Sequence, residues 1–412
     1  MSVLLKSSTG WLVDHLQFLN NEYSHDPGLC FRDEYFQLLK PHIPGPISAD
    51  ATDTALLSSN CIERPQTRKR KRKRRGCALN QGELDALEYH LKISALISEG
   101  SKTLIEEGHK KGFLDPLPGS EKQQPRDPVG QGGSCRLTEL CEMAKLLTSE
   151  NENHGRLIPV LNEEPLSKSE LDLLLHMMEN SADCTRIIQL MGEKYLLPPK
   201  CSFLLSDISC MQPLLDYGKK YDVIVVDPPW ENKSVKRSNR YDYLPSWHIR
   251  QLPVPALAAP GCLVITWVTN RQKHLRFVKD ELYPEWSVKP LAEWHWVKIT
   301  RSGEFVFPLE STHKKPYEVL VLGRLRAAAK SAPRQSDEDH TPIPDHKLIV
   351  SIPCTLHSHK PPLAEVLTDY IKPGAECLEL FARNLQAGWT SWGNEVLKFQ
   401  HIDYFCPLED GS

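Results

Sequence analysis

No apolar run in the 412 residues approaches the ~20 that span a bilayer, so no membrane association is expected. The twelve cysteines, from Cys30 to Cys406, include no CxxC pair and follow no regular spacing. That argues against a disulfide framework and predicts reduced, packed thiols in a cytosolic or nuclear protein. Cys354, His357 and His359 lie close together, but three potential ligands without a fourth, at cramped spacing, do not make a structural zinc site. No metal is expected. A signal-peptide pattern is missing as well, because Trp11-Leu12-Val13 runs straight into Asp14 and His15. There is no internal repeat, and without a long heptad pattern a monomer is the simplest expectation. Net charge is low, at -3.

That small average hides a local excess. Arg68 to Arg75 are all Lys or Arg, which suits a nuclear import signal, a nucleic-acid contact or a self-repelling linker. The expected location is the nucleus, with the cytosol possible. Residues 1–78 read as poorly ordered, with short helices near Trp11–Leu19 and Tyr35–Leu39. Residues 79–185 read as a small helical accessory region. Leu84, Leu87, Leu91, Ile93, Leu96 and Ile97 recur at three- and four-residue intervals, while Gly100 and Gly108 punctuate the run. Two helices are expected there, then a flexible loop over 116–133 and helices over Leu137–Leu147 and Glu170–Glu179.

From residue 186 to 412 the texture changes. Short, continuous apolar runs such as Val223-Ile224-Val225-Val226, Cys262–Thr266, Val319–Leu322 and Cys377–Leu380 suit strands buried on both faces. Helix-like pieces, Asn270–Lys279 and Pro362–Tyr370, lie between them. This is the pattern of a doubly wound α/β domain, in which ligands bind at the carboxyl ends of strands. The loops after Val226 and Phe381 are the places to look.

The first of these loops is Asp227-Pro228-Pro229-Trp230. Two prolines stiffen the backbone and remove two N–H groups, leaving carbonyls free to accept. An adenine amine is a poor nucleophile because its lone pair is delocalised into the ring. Asp227 and the Pro228 carbonyl can accept its two hydrogens and bias the nitrogen towards a nucleophilic geometry. Trp230 is expected to stack on the base.

The surrounding motifs carry a resemblance. Leu197-Pro198-Pro199-Lys200, Ser206-Asp207-Ile208-Ser209, Asp227–Trp230, Trp267-Val268-Thr269-Asn270, Trp294–Lys298, Ser358-His359-Lys360-Pro361 and Glu379–Arg383 together resemble the MT-A family of N6-adenine methyltransferases. The likeness covers about half the chain and extends less firmly to Asn80–Leu114. It implies a Rossmann-like, S-adenosylmethionine-dependent methyltransferase domain of permuted motif order, preceded by the helical accessory region. It also implies that Asp207 and Ile208 frame the cofactor's adenine and that Phe381 ends the strand beside it. Arg383 and Asn384 reach the ribose, Asn394 and Glu395 complete that pocket, and Lys315 touches the methionine carboxylate. Two departures stand out. Relatives acting on messenger RNA carry two extra residues between the Arg and Asn that are adjacent here, and they have Gln where this chain has Glu395.

The segment after the tetrapeptide supplies Asn232, Lys233, Lys236, Arg237, Asn239, Arg240 and Tyr241. Cations, small polar groups and one aromatic suit a loop that grips a phosphate backbone and an extruded base. The partner is therefore a nucleic acid, RNA preferred and DNA possible. The resemblance narrows the substrate to 2′-O-methyladenosine in spliceosomal small nuclear RNA. A DNA methyltransferase is the first alternative. A non-catalytic nucleic-acid-binding scaffold is the second, against which the intact tetrapeptide speaks.

Overall fold

The computed structural model describes residues 2–23, 28–42, 81–115, 158–159, 176–190, 192–206, 208, 210–231, 244–311, 314–326 and 341–408. The strands among them are β1 (Val3–Lys6), β2 (Gly10–Val13), β3 (Leu29–Phe31), β4 (Ile158–Pro159), β5 (Met178–Glu179), β6 (Arg186–Leu190), β7 (Glu193–Leu197) and β8 (Ser202–Leu204). They continue with β9 (Tyr221–Val226), β10 (Ala258–Val268), β11 (Val288–Lys298), β12 (Tyr317–Leu325), β13 (Leu348–Ser351), β14 (Cys377–Leu380), β15 (Trp389–Trp392) and β16 (Phe405–Pro407).

One mixed sheet dominates, in the order β1-β2-β13-β11-β12-β10-β9-β14-β15-β8-β5-β4. Its centre is the apolar β9, parallel to β10 on one side and to β14 on the other. Both faces of these strands are covered, as their near-continuous hydrophobicity requires. Ile224, Val226, Val264, Leu378 and Leu380 face one apolar cluster. Val223, Val225, Ile265, Trp267, Trp294 and Trp296 face another. The fold is therefore the expected α/β, Rossmann-like one, with the strand leading to Asp227 preceding its neighbour β14 in the chain.

The N-terminal expectation is corrected. Residues 2–23 and 28–42 are built into the fold. Strand β2 lies parallel to β13, with Gly10 opposite Leu348, and β1 closes that edge. Strand β3 pairs with β16, placing Cys30 opposite Cys406 with the sulfurs 3.4 Å apart. The N-terminal helix is α1 (His15–Tyr23), and Asp33–Phe36 forms a short 3-10 turn. The basic run 68–75, the loop 116–133 and the segment Leu137–Leu147 lie outside the described residues. So does most of Glu170–Glu179, whose described end, Met178–Glu179, is a strand rather than a helix.

The accessory region also differs. A single helix, α2 (Gln81–Lys110), runs the full 30 residues. Gly100 and Gly108 do not break it, because they are contact points. A β-carbon at Gly100 would stand 2.7 Å from Leu348 Cδ1, and one at Gly108 would stand 2.9 Å from Leu12 Cδ2. Glycine lets the helix lie against the sheet edge, and that burial offsets the weaker helix propensity. Ile93, Ile97 and Leu104 are buried, whereas Leu84, Leu87 and Leu91 of the first turns are exposed.

Candidate active site

Strands β9 and β14 run parallel side by side, so their carboxyl ends open at the same sheet edge. The Asp227 amide donates to the Leu380 carbonyl at 3.2 Å, fixing the start of the tetrapeptide against the end of β14. Its exit is fixed too. Leu244 donates to the Pro229 carbonyl at 3.1 Å, and Arg271 Nη1 donates to the Glu231 carbonyl at 2.8 Å. The Pro228 carbonyl has no hydrogen-bond partner among the described residues.

The Asp227 carboxylate is buried, with 8% of the residue exposed. Burial raises its pKa above the ordinary carboxylate value, against the opposing pull of Lys360 and Arg383. Lys360 Nζ is 3.8 Å from Oδ1, and Arg383 Nη1 is 3.3 Å from Oδ2. Each cation is held from behind. Arg383 Nε bonds Glu395 at 3.0 Å, Glu395 also accepts from Lys398 at 2.9 Å, and Arg383 Nη1 reaches Ser358 Oγ at 2.9 Å. Lys360 pairs with Glu318, which also binds Lys298. Burial works to raise the Glu318 pKa, but the two lysines overcome it and hold the group well below the usual range. Beside them Glu379, buried and accepting from Gln386 at 3.1 Å, is pushed up to about 7, chiefly by burial and further by the charge of Asp227.

The Trp230 stacking expectation needs correction. Its ring is 7% exposed, its Nε1 donates to the Trp267 carbonyl at 2.8 Å, and it packs on His274 at 4.9 Å and edge-on to Phe277 at 6.3 Å. It is a fixed wall of the site, with no open face for a base.

After β14 the chain turns at Phe381, whose φ is +63°. Its ring meets Trp392 at 5.0 Å. The turns following β14 and β15 then lie against each other. Ala382 donates to the Trp392 carbonyl at 2.9 Å, and a β-carbon at Gly393 would stand 2.8 Å from the Ala382 carbonyl oxygen. This close approach gathers Arg383, Asn384, Asn394 and Glu395 at one place. Ile208 packs partly buried against the main core. Asp207 and the loop residues Asn232, Lys233, Lys236, Arg237, Asn239, Arg240 and Tyr241 lie outside the described residues. Lys315, three residues before Glu318, donates to the Leu309 carbonyl at 3.0 Å.

An MT-A70 family model matches residues 221–395, from the start of β9 to Glu395. Human N(6)-adenine-specific methyltransferase METTL4 is similar to this chain, 51% identical over the whole of both chains. The chain belongs to the MT-A70 family. A second relative is N6-methyladenosine RNA methyltransferase MTA1 of Cryphonectria parasitica, 30% identical over 74% of this chain and 95% of its own. A third is the DNA N6-methyl methyltransferase of Caenorhabditis elegans, 31% identical over 51% of this chain and 56% of its own.

Within the MT-A70 span the structure adds residues to which sequence reasoning gave no role. Lys298, Glu318, Lys360 and Glu379 surround or face Asp227. Each left a signal: Glu318 is a carboxylate directly before the apolar run Val319–Leu322, and Lys298, Lys360 and Glu379 sit in the motifs Trp294–Lys298, Ser358–Pro361 and Glu379–Arg383. Arg383, expected at a ribose, is bonded to Asp227 through Nη1 and to Glu395 through Nε. His359, buried beside Lys360, stacks on Phe399 at 4.1 Å. Among the described residues no His, Cys, Asp and Glu side chains are grouped to hold a metal ion.

Proposed function

We propose that this chain transfers a methyl group from S-adenosylmethionine to N6 of an internal 2′-O-methyladenosine in small nuclear RNA. N6-adenine methyl transfer is the part supported by MT-A70 membership and by the full-length likeness to METTL4. The observation that carries it is Asp227, a buried carboxylate at the carboxyl end of the central strand, followed by a carbonyl with no partner among the described residues.

The amine of an adenine placed there donates one N–H to Asp227 and the other to the Pro228 carbonyl, which biases its lone pair away from the ring. As the N–methyl bond forms and the methyl–sulfur bond breaks, N6 sheds one of these protons to Asp227 or to water. Lys360 and Arg383 hold the carboxylate from both sides and fix its orientation, so most of the gain is alignment. Trp267 holds Trp230, and Trp230 closes one side of the pocket. The bound cofactor supplies a methyl on a sulfonium leaving group.

The residues present fit such a donor. Glu395 is an acceptor for ribose hydroxyls, Asn384 and Asn394 donate and accept nearby, and Ile208 and Phe381 offer apolar surface. Asp207 belongs to the same assignment by its place in the sequence. Lys315 keeps its assignment to the methionine carboxylate by its place in the sequence.

RNA as substrate draws support from the MTA1 relative, and DNA from the worm relative. A methyl-transfer assay with matched RNA, 2′-O-methylated RNA and DNA oligonucleotides tests the choice. The 2′-O-methylated RNA is expected to turn over fastest. Faster turnover of DNA would replace the RNA reading with the DNA one. Action as a monomer in the nucleus completes the proposal, with the Arg68–Arg75 run as import signal. Deleting that run is expected to move the protein to the cytoplasm without changing turnover on a short oligonucleotide.

A further inference from the structure

Eight of the nine tryptophans are buried, and Trp247 is 57% exposed. It stands on the short helix Ser246–Arg250, anchored from below by buried Ile249 and by the Trp286 indole, which donates to the Arg250 carbonyl at 3.2 Å. Its place is fixed relative to the reacting group. Three residues before it, Leu244 is bonded to Pro229 of the tetrapeptide. On the other side of the tetrapeptide's exit, the helix Gln272–Arg276 is tied in through Arg271 on the Glu231 carbonyl and His274 against Trp230. The Arg250 guanidinium lies 5.6 Å over Phe277, which directly follows that second helix, so the two helices share one surface.

The stretch of chain that forms this surface carries charge of one sign. From Leu244 to Lys279 the sequence contains no Asp or Glu, but it carries Arg250, Arg271, Lys273, Arg276 and Lys279. Three of these meet carboxylates outside that stretch: Arg250 with Glu281, which lies just beyond it, Arg276 with Asp85 and Lys279 with Glu293. Arg271, nearest the tetrapeptide, is bonded to a neutral carbonyl, and Lys273 is exposed. An exposed indole on the same surface as two cations that have no carboxylate partner among the described residues fits a single strand of nucleic acid, whose unpaired bases stack on an aromatic ring while phosphates meet the charges.

We propose that Trp247 stacks an unpaired base flanking the target adenine, with Arg271 and Lys273 facing the adjoining phosphates. This rests on the reading above that the substrate is a nucleic acid. It assigns recognition of the flanking strand to a rigid helix rather than to the pocket. The substrate is accordingly single-stranded on that side.

The test is fluorescence anisotropy of the full chain with a labelled single-stranded oligoribonucleotide containing one internal adenosine, and with its duplex. Trp247→Ala is expected to weaken single-strand binding about tenfold, and Trp247→Phe to retain most of it. The salt dependence of binding should be unchanged in Trp247→Ala. In Lys273→Ala the slope of log affinity against log salt should fall by roughly 0.7. Coincident isotherms for wild type and Trp247→Ala would overturn the proposal. So would Trp247→Phe binding as poorly as Trp247→Ala, which would make the ring's role structural. Wild-type binding without adenine methylation would sink the methyltransferase reading alone, and no wild-type binding to single strands would sink both.

Discussion

Glu293 beside α2 and the pair Asp227 and Glu379 at the ends of β9 and β14 fare oppositely, although Glu318 and Glu395 at the second place are also held down by their cations. Beside α2, Glu293 receives Lys279 at 2.6 Å and the Tyr89 hydroxyl at 2.9 Å, and Tyr89 also meets His295 Nε2 at 3.0 Å. Burial raises the Glu293 pKa, but these contacts outweigh it and the net shift is downward. His295 is pushed down to about 4 by burial and stays neutral. At the ends of β9 and β14, by contrast, Asp227 and Glu379 remain raised. Their cations stand off at 3.3 and 3.8 Å from Asp227, and Glu379 has only a neutral amide as its described hydrogen-bond partner. A cluster that merely latches a helix satisfies its charges directly. A cluster left short of compensation is where another molecule's donors are wanted.

Substitutions on the two sides should therefore behave differently. Asp227→Asn removes the charge without changing shape, and turnover in a methyl-transfer assay should fall by at least about 100-fold. Oligonucleotide binding should barely move. A mutant keeping a tenth of wild-type turnover would take Asp227 out of the chemistry. Lys360→Met leaves two buried carboxylates each a cation short, which should cost about 3–5 kcal/mol in urea unfolding and also lower turnover.

The third prediction concerns pH. Glu379 is raised from 4.5 to about 7 in the fold, so the native state binds the extra proton between those values. Its contribution to stability is fully present below pH ~4.5, falls as pH rises, and is gone above pH ~7, about 3 kcal/mol in all. Glu379→Gln should flatten that part of the profile in unfolding curves taken from pH 5 to 8. A slope identical to wild type would mean that the group ionises normally. Smallest of all, Tyr89→Phe should cost about 1 kcal/mol of stability, from one lost hydrogen bond, with turnover unchanged.

The centre of the sheet was legible because β9 and β10 carry continuous β-branched and aliphatic runs that need no distant information. The carboxylate tetrapeptide was legible for the same reason, all its residues being adjacent in sequence. The N-terminal strands were not. Val3–Lys6 and Gly10–Val13 are too short to show a period, and the partner of Gly10 is Leu348, more than three hundred residues away. The glycines of α2 misled because a helix interruption and a close helix-to-sheet contact use the same residue. The support of Asp227 was hidden for a related reason. Lys298, Glu318 and Lys360 come from β11, β12 and the segment after β13, and only the sheet order brings them together. Trp230 looked like a stacking platform because sequence does not reveal which aromatic rings are already covered.

The pairing of β2 with β13 and of β3 with β16 also bears on how the chain reaches its folded form. Cys30 and Cys406, opposite one another, are separated by 376 positions. Residues that leave the ribosome early must wait for their partners until most of the chain has been made. Until β13 is made, Gly10–Val13 has only its hairpin neighbour β1 and an open edge on the other side. Contacts of such long sequence separation slow folding and expose strands to association with other chains. Completion of this fold thus waits on β13 and β16, the distant partners of the two N-terminal strands β2 and β3.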